Sequence, residues 1–306
     1  ERTAVRPPPG PRWAGRPLRR RKGPGRHGRG APPRPGVPVR LGAPPPGLYL
    51  RPMRQLVDRP ALLRQRRRAQ APFLREAVAR DAHERLLEVN RTFTAPALVS
   101  PAPAVWADLL PEARAVPDDP VLDLVPEAHD LVVHDLCLHW AEDPVGQLVQ
   151  CARALRPDGL LLATLFGAGT LAPLRRALRE AEAEATGGLS PRALPLADVR
   201  DLGDLLGRAG LALPVADTLP YDVRYADALA LMRDLRAMGE GNPLADRRRS
   251  LARRDVILRA AARLGAPVLA RFEVVTLTGW KPHPGQQRPL RPGSALASLA
   301  AALERK

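Results

Sequence analysis

Residues 160–166, LLLATLF, restrict the fold more than any other segment, because their apolar side chains fall on both faces of a strand. Such a strand must be covered from both sides. Upstream of it, strand-like and helix-like segments alternate. The strand-like segments are 95–100, 113–116 and 131–133, and the helix-like segments are 104–113 and 144–159. This alternation predicts a mostly parallel α/β sheet with helices on both faces.

The remaining segments divide the chain after residue 52 into three parts. Helices are predicted at 170–188 and 196–211, and a late strand at 271–282. Two further helices, at 227–241 and 251–266, form a helical insert that spans 227–266. The sequence therefore predicts an N-terminal helical segment at 53–92, one α/β domain at 93–282 that contains the insert, and a C-terminal tail at 283–306.

The first 52 residues differ from the rest in composition. Residues 1–50 hold 13 Pro, 9 Gly and 12 Lys or Arg against one acid, Glu1, and so carry most of the net charge of +16. Without apolar periodicity, this segment is predicted to be disordered. Three interpretations stay open: a basic tail attracted to RNA or membranes, a targeting segment, or translated sequence upstream of a start at Met53. The third is favoured, because Met53 opens the first helical pattern.

The body of the chain has a nearly ordinary charge balance and interleaves no aromatic side chains with its basic runs, so it is not predicted to bind nucleic acid. Its densest basic run, RQRRR at 64–68, is interpreted as a solvated helix face, with contact to an acidic partner as the alternative. Cys137 and Cys151 lack zinc-ligand spacing and are expected to be buried free thiols. No apolar run is long enough to span a membrane.

The segment HDLVVHDLCLHWAEDPVGQLVQCARALRPDGLLLATLFG has a recognisable pattern. It resembles the fourth strand, the following helix and the fifth strand of class I S-adenosylmethionine-dependent methyltransferases. The matching residues are Asp130, Leu131, Val132, Leu138, His139, Trp140, Asp143, Leu155, Pro157, Gly159 and Leu160.

Downstream motifs narrow this resemblance. LREAEAEATGGLSPRALPLADVRDLGDLLGRAGLALPVAD, LMRDLRAMGEGNPL and LTGWKP…QQRPLRPGSA resemble the methyltransferase-like family of mitochondrial complex I assembly factor 5 and its alphaproteobacterial relatives. The chain resembles malonyl-carrier-protein methyltransferases more distantly. The resemblance covers about Met53 to Lys306.

The resemblance implies a Rossmann-like, seven-strand class I methyltransferase sheet whose last strand is inserted antiparallel. It also implies S-adenosylmethionine as cofactor and a cytoplasmic location in a bacterium, or a matrix location. The implied substrate is a protein, because the mitochondrial members are linked to hydroxylation of an arginine in a complex I subunit.

One stretch departs from the family pattern. Where the family has LDLGCGTG after the first strand, this chain reads ALVSPAPA. Glycines there let the backbone approach the cofactor, because no Cβ stands in the way. Pro101 and Pro103 instead remove two backbone donors and fix φ. Ser100 is the residue of this loop that can still offer a side-chain hydroxyl to the cofactor.

The other candidate cofactor-binding residues follow later strands. Asp118 and Asp119 come after the second strand, where an acid accepts hydrogen bonds from ribose hydroxyls in this type of fold; a plain turn at PDDP is the alternative. Asp123 lies near the expected end of the third strand, on the adenine side. Leu136 lies in the segment after the fourth strand and is predicted to contact the cofactor.

Two histidines are the candidate catalytic residues. His134, beside Asp135, is a possible acid/base group, and His139 is expected to cap the adenine pocket or to face the substrate. A structural or solvated role is the alternative for each. His129, His134 and His139 are five residues apart, so a shared metal site is not predicted.

Two functions from different classes stay open. The first is a methyltransferase-like enzyme that uses S-adenosylmethionine on a protein or small-molecule substrate, with a complex I subunit as one candidate partner. The second is an inactive methyltransferase-fold module that has lost its cofactor loop and serves in binding or assembly.

Overall fold

The computed structural model describes residues 55–286. The predictions made for segment 1–52, for a start at Met53 and for residues 287–306 of the tail therefore lie outside the described residues. The helices are α1 (Arg59–Arg66), α2 (Phe73–Glu88), α3 (Pro144–Ala154), α4 (Ala172–Thr186), α5 (Val199–Arg208), α6 (Ala228–Ala237) and α7 (Arg254–Leu264). The strands are β1 (Pro96–Val99), β2 (Arg114–Val116), β3 (His129–His134), β4 (Leu155–Phe166), β5 (Ala212–Tyr225) and β6 (Val268–Trp280).

The six strands form one mixed sheet of order β2-β1-β3-β4-β6-β5. β1 to β4 are parallel, while β6 lies antiparallel between β4 and β5. Val99 is in register with Val116 and with His134, and His134 with Ala163. β1, β2 and β3 therefore end at one level, whereas β4 continues to Phe166. The residues that follow the first three strands meet at one edge of the sheet.

The apolar pattern of β4 is explained by the layers on either side of it. Leu160 and Leu162 pack in the cluster that contains α2 residues, whereas Leu161 and Leu165 pack in the cluster built on α3 and α5. All four are buried, and each fully buried leucine stabilises the fold by roughly 1.5–3 kcal/mol. The predicted helices on both faces of the sheet are therefore present.

The prediction of seven strands is not met in the part of the chain that the structure describes. Residues 117–128, between β2 and β3, form no strand where the third strand was expected near Asp123. Pro117, Pro120 and Pro126 explain this, because each lacks the N–H that a sheet ladder needs.

Two further predictions about single elements are wrong. Residues 104–113 form a short 3-10 helix, Pro103–Trp106, followed by turns. The prolines at 101, 103 and 111 leave little helix-compatible chain in this crossover. The helix predicted over 144–159 ends at Ala154, and β4 already begins at Leu155.

The sequence also failed to indicate β5. This strand lies at the sheet edge and contains Pro214 and Pro220, which an edge strand tolerates because one row of its backbone groups is unpaired. Most of its side chains are exposed, so the strand lacks the apolar pattern that made the core strands recognisable. None of the helices in the described range is both long and apolar enough to cross a membrane.

Candidate functional site at the carboxyl edge of the sheet

Three polar residues that follow β1, β2 and β3 converge at the carboxyl edge. The Ser100 N–H donates to the Val116 carbonyl at 3.1 Å, and the Asp135 N–H to the Val99 carbonyl at 2.8 Å. The Ser100 hydroxyl donates to Asp135 Oδ2 at 2.6 Å. The loop after β1 is thereby tied to the end of β3, and Asp118 lies beyond β2 on the same edge.

Asp118 is bound by two arginines of α1. Arg66 Nη1 lies 2.8 Å from each carboxylate oxygen, and the two Nη atoms of Arg59 lie at 3.2 and 3.0 Å. The Asp118 side chain is only 5% exposed and that of Arg66 only 11%. Burial alone would raise the pKa of Asp118, but the two guanidinium groups hold that pKa below its usual value. Asp118 is therefore ionised and already neutralised by the chain itself.

Asp135 has a similar partner from α2. Arg75 Nη1 donates to Asp135 Oδ2 at 3.0 Å and to the Asp135 carbonyl at 2.9 Å, and Nη2 donates to the Leu136 carbonyl at 3.2 Å. Leu136 has a positive φ of 41°, and its N–H is held by Thr164 Oγ1 at 2.8 Å. The buried Oδ1 of Asp135 has no hydrogen-bond partner, so one acceptor remains free at this edge.

His139 lies beside a buried carboxylate from the segment after α6. Its Nε2 is 3.7 Å from Glu240 Oε2, and the Trp140 indole N–H donates to the same oxygen at 3.0 Å. Burial lowers the pKa of His139 although Glu240 opposes the shift. Burial would raise the pKa of Glu240, but His139 and Arg75 hold it low. When His139 is neutral, Arg75 is the cation that keeps Glu240 ionised.

Four clefts adjoin these groups. The smallest, about 180 Å³, is lined by Arg59, Asp118 and Trp140 among others. The β1–β2 cleft, about 380 Å³, is lined by Ser100, Pro101, Asp118 and Arg66 among others. The edge cleft, about 320 Å³, lies between α1, α2 and the sheet. The inner cleft, about 310 Å³, begins at His139 and extends beneath α4 and α6. The edge cleft and the inner cleft share Phe166 and Glu240.

The structure brings most, but not all, of the predicted site residues to this edge. Ser100 and Asp118 line the β1–β2 cleft, Leu136 lines the edge cleft, and His139 lines the inner cleft. Asp119 lies next to Asp118 with its side chain 51% exposed, and accepts from Arg59 at 3.0 Å.

Two predicted site residues lie elsewhere. Asp123 is 85% exposed and pairs with Arg114 at 2.8 Å, because the third strand that would have aimed it at the site is not formed. His134 is fully buried, and its Nε2 lies 2.8 Å from Gln147 Oε1. Burial lowers the pKa of His134. In this arrangement it is a core residue that does not reach a substrate.

Sequence reasoning missed the arginines and Glu240. Arg66 belongs to the RQRRR run that was interpreted as a solvated face, yet it is buried against Asp118. Glu240 accepts from the Trp140 indole N–H, 100 residues away in the chain, a contact that no local motif indicates. A partial signal did exist, because the alternative interpretation of RQRRR was contact with an acidic partner, but nothing in the run singles out Arg66. Within residues 55–286, no group of three or more His, Cys, Asp or Glu could hold a metal ion.

Comparisons with known proteins give similarity to two named activities. Over 198 residues, 62% of the chain, it is 38% identical to "Arginine-hydroxylase NDUFAF5, mitochondrial" of Danio rerio and covers 61% of that protein. The human protein of the same name is 39% identical over 197 residues. This match covers 57% of the human protein. A "Malonyl-[acyl-carrier protein] O-methyltransferase" of Methylovorus sp. is 32% identical over 167 residues, 53% of this chain and 54% of that protein.

The chain thus spans less than two thirds of the length of these curated relatives. Among solved structures, a candidate methyltransferase from Bacillus halodurans aligns with a TM-score of 0.44 at 12% identity, covering 66% of this chain and 99% of that one. No family model matches the chain. The resemblance that the motifs predict is confirmed: the chain is similar to the NDUFAF5 arginine hydroxylases and, less closely, to malonyl-carrier-protein methyltransferases.

Proposed function

We propose that this protein is a class I methyltransferase-like enzyme that binds S-adenosylmethionine at the carboxyl edge of its sheet and acts on a protein or small-molecule substrate. The observation that carries the proposal is the similarity to the named hydroxylases and methyltransferases, in a chain that keeps Asp118 and Asp135 at that edge. Fold likeness alone would not support an activity.

The donor and acceptor groups present fit this cofactor, on one condition. Asp118 offers a carboxylate to ribose hydroxyls, and Asp135 Oδ1 is a buried acceptor without a partner. When bound, S-adenosylmethionine supplies a methyl group on a sulfonium sulfur. The condition is that Arg66 gives up its two 2.8 Å bonds to Asp118, since those oxygens are otherwise occupied.

His139 is the proposed proton-handling residue for an acceptor that must lose a proton. It lines the inner cleft, and burial lowers its pKa and favours the neutral imidazole. Because Nε2 faces Glu240, a proton would be accepted at Nδ1, which lies 3.5 Å from the Phe166 N–H. Glu240, held ionised 3.7 Å away, would stabilise the imidazolium that results. The rest of the chain's contribution is to orient the substrate and exclude water.

The proposed partner and the proposed location are inferred from the relatives. The NDUFAF5 proteins are named arginine hydroxylases and mitochondrial. Because the motifs also resemble the complex I assembly factor 5 family, a respiratory complex I subunit is the proposed protein substrate. For a bacterial protein the corresponding location is the cytoplasm, which stays a prediction.

The test is isothermal titration calorimetry of the full chain with S-adenosylmethionine and S-adenosylhomocysteine. We expect micromolar binding to the wild-type protein and loss of binding in Asp118→Asn, which removes the acceptor carboxylate. Binding that survives unchanged in Asp118→Asn would contradict the assigned site.

A second candidate is an assembly module that needs no cofactor. It is favoured by a specific observation: Arg59 and Arg66 already occupy both oxygens of Asp118, the carboxylate proposed for the ribose, and Arg75 occupies Oδ2 of Asp135. The SPAPA loop adds to it by removing backbone donors. Pull-down of respiratory subunits by a protein that shows no cofactor binding would favour this candidate.

A further inference from the structure

Helix α4 carries three arginines without acidic partners. The structure gives no ion pair to Arg175, Arg176 or Arg179 in the range 55–286. The acids of the same helix are engaged elsewhere: Glu182 binds Arg192 at 2.6 Å, while Glu180 and Glu184 face Arg263. A patch of uncompensated positive charge therefore lies on one side of α4.

Arg175 is the least solvated of the three. One Nη donates to the Ala168 carbonyl, and its buried Nε has no hydrogen-bond partner. Burial lowers the pKa of Arg175, and the neighbouring Arg179 lowers it further, opposed by Glu273. Glu273 is the nearby acid, but it forms no ion pair with Arg175 among the described residues, and its Oε1 accepts from the Gly169 N–H at 3.0 Å. A partly buried guanidinium without a carboxylate is costly, and a bound anion would offset that cost.

These arginines lie at the mouth of a continuous groove. The arginine cleft, about 680 Å³, is lined by Arg175, Arg176, Arg179, Glu182 and residues 189–195 among others, and Glu182 is paired with Arg192. It shares five residues with the inner cleft: Arg175, Leu178, Arg192, Ala193 and Leu194. The groove thus leads from the surface of α4 to His139 at the carboxyl edge.

The inner part of this groove is mostly apolar. Its walls include Phe166, Leu174, Met232, Leu235 and Phe272. A charged ligand head would lose hydration there, whereas an apolar body would gain from leaving water. Polarity therefore changes along the groove, from the guanidinium groups outside, through aliphatic and aromatic walls, to His139 and Glu240 at the inner end.

We propose that the arginine cleft and the inner cleft together bind one small amphipathic anion, an acyl chain or similar apolar body that ends in a carboxylate or phosphate. The anionic head lies at Arg175, Arg176 and Arg179, and the apolar body lies in the inner cleft and points to His139. Guanidinium groups favour both head groups because their donors match the oxygens in pairs. The idea that this ligand is also the substrate of the enzyme rests on the proposed function. The binding of the ligand does not.

The test is calorimetric titration of the full chain, without S-adenosylmethionine, with four probes of one chain length: decanoate, decyl phosphate, decanol and decyltrimethylammonium. The two anions are expected to bind and are distinguished from each other by affinity. Decanol and the ammonium are expected to bind at least about tenfold more weakly, since they gain nothing from the arginines.

Two variants locate the head group. Arg175→Met keeps the aliphatic packing, and Arg179→Glu changes an exposed residue. Each is expected to weaken decanoate by about tenfold or more. Arg208→Met, an exposed arginine on α5 away from the groove, is the matched control and is expected to change nothing.

The proposal is overturned if neither anion binds, if decanol binds as tightly as decanoate, or if both variants keep wild-type affinity. Binding of a Glu-rich peptide in place of the decyl anions would equally overturn it. Because no cofactor is present, failure of S-adenosylmethionine binding and failure of anion binding are separate results.

Discussion

Replacing Arg66 by methionine is expected to raise the affinity for S-adenosylmethionine. In the wild-type protein Arg66 donates 2.8 Å bonds to both oxygens of Asp118, and these must break before a ribose can use them. A hydrogen bond to a charged group is worth about 1.5–3 kcal/mol, so its removal should tighten binding by roughly tenfold to a hundredfold.

The same substitution carries a predicted cost in stability. Asp118 keeps Arg59 as a partner, so Arg66→Met should lower the free energy of unfolding by about 1.5–3 kcal/mol. Asp118→Asn leaves two guanidinium groups without their carboxylate and should cost more, about 3–5 kcal/mol. Urea unfolding of both variants measures this order.

The affinity assay is calorimetric titration of the wild-type protein, Arg66→Met and Arg64→Met. Arg64 lies on the same helix but is exposed and is not among the partners of Asp118, so its variant should bind like the wild type. If Arg66→Met binds the cofactor no more tightly than Arg64→Met, Arg66 does not compete for the site and the reasoning is refuted.

Three further predictions concern buried groups. Glu182→Gln should lower stability by about 1–3 kcal/mol, because Glu182 accepts charged bonds from Arg192. These bonds lower the pKa of Glu182 from 4.5 to about 2, so its contribution is present above pH 4.5 and is lost as the pH falls toward 2; acid titration followed by circular dichroism should show this loss in the wild type and not in the variant. Burial raises the pKa of Cys151 to about 12, so a thiol reagent at pH 8 should leave it unmodified until urea is added, and rapid reaction of the native thiol would be the contrary result. Asp130→Asn should destabilise by about 1–3 kcal/mol, since its carboxylate accepts from the Thr94 N–H at 2.6 Å, and an unchanged urea midpoint would contradict that.

Much of the fold could be predicted because the composition of the core strands reflects whether one or both of their faces are buried. Leu161 and Leu162 face opposite layers of helices, and an apolar side chain at both is the signature of a covered sheet. The edge strand β5 could not be predicted in this way. Its Pro214 and Pro220 argue against a strand until its edge position is known.

The candidate site was predictable only to the extent that it follows strand ends. Ser100, Asp118 and Leu136 were found because loops after parallel strands meet at one edge. The partner of Asp118 was not, because Arg66 lies 52 residues away and nothing local separates it from its exposed neighbours in RQRRR. Asp123 was misplaced because a strand expected from the family pattern is absent between β2 and β3.

Calorimetric titration of the full wild-type chain with S-adenosylmethionine, repeated on Arg66→Met and Asp118→Asn, tests the central claim most directly. The account predicts micromolar binding to the wild type, tighter binding to Arg66→Met and none to Asp118→Asn. No heat of binding at millimolar cofactor in either the wild type or Arg66→Met would contradict it and leave the cofactor-free assembly module as the function.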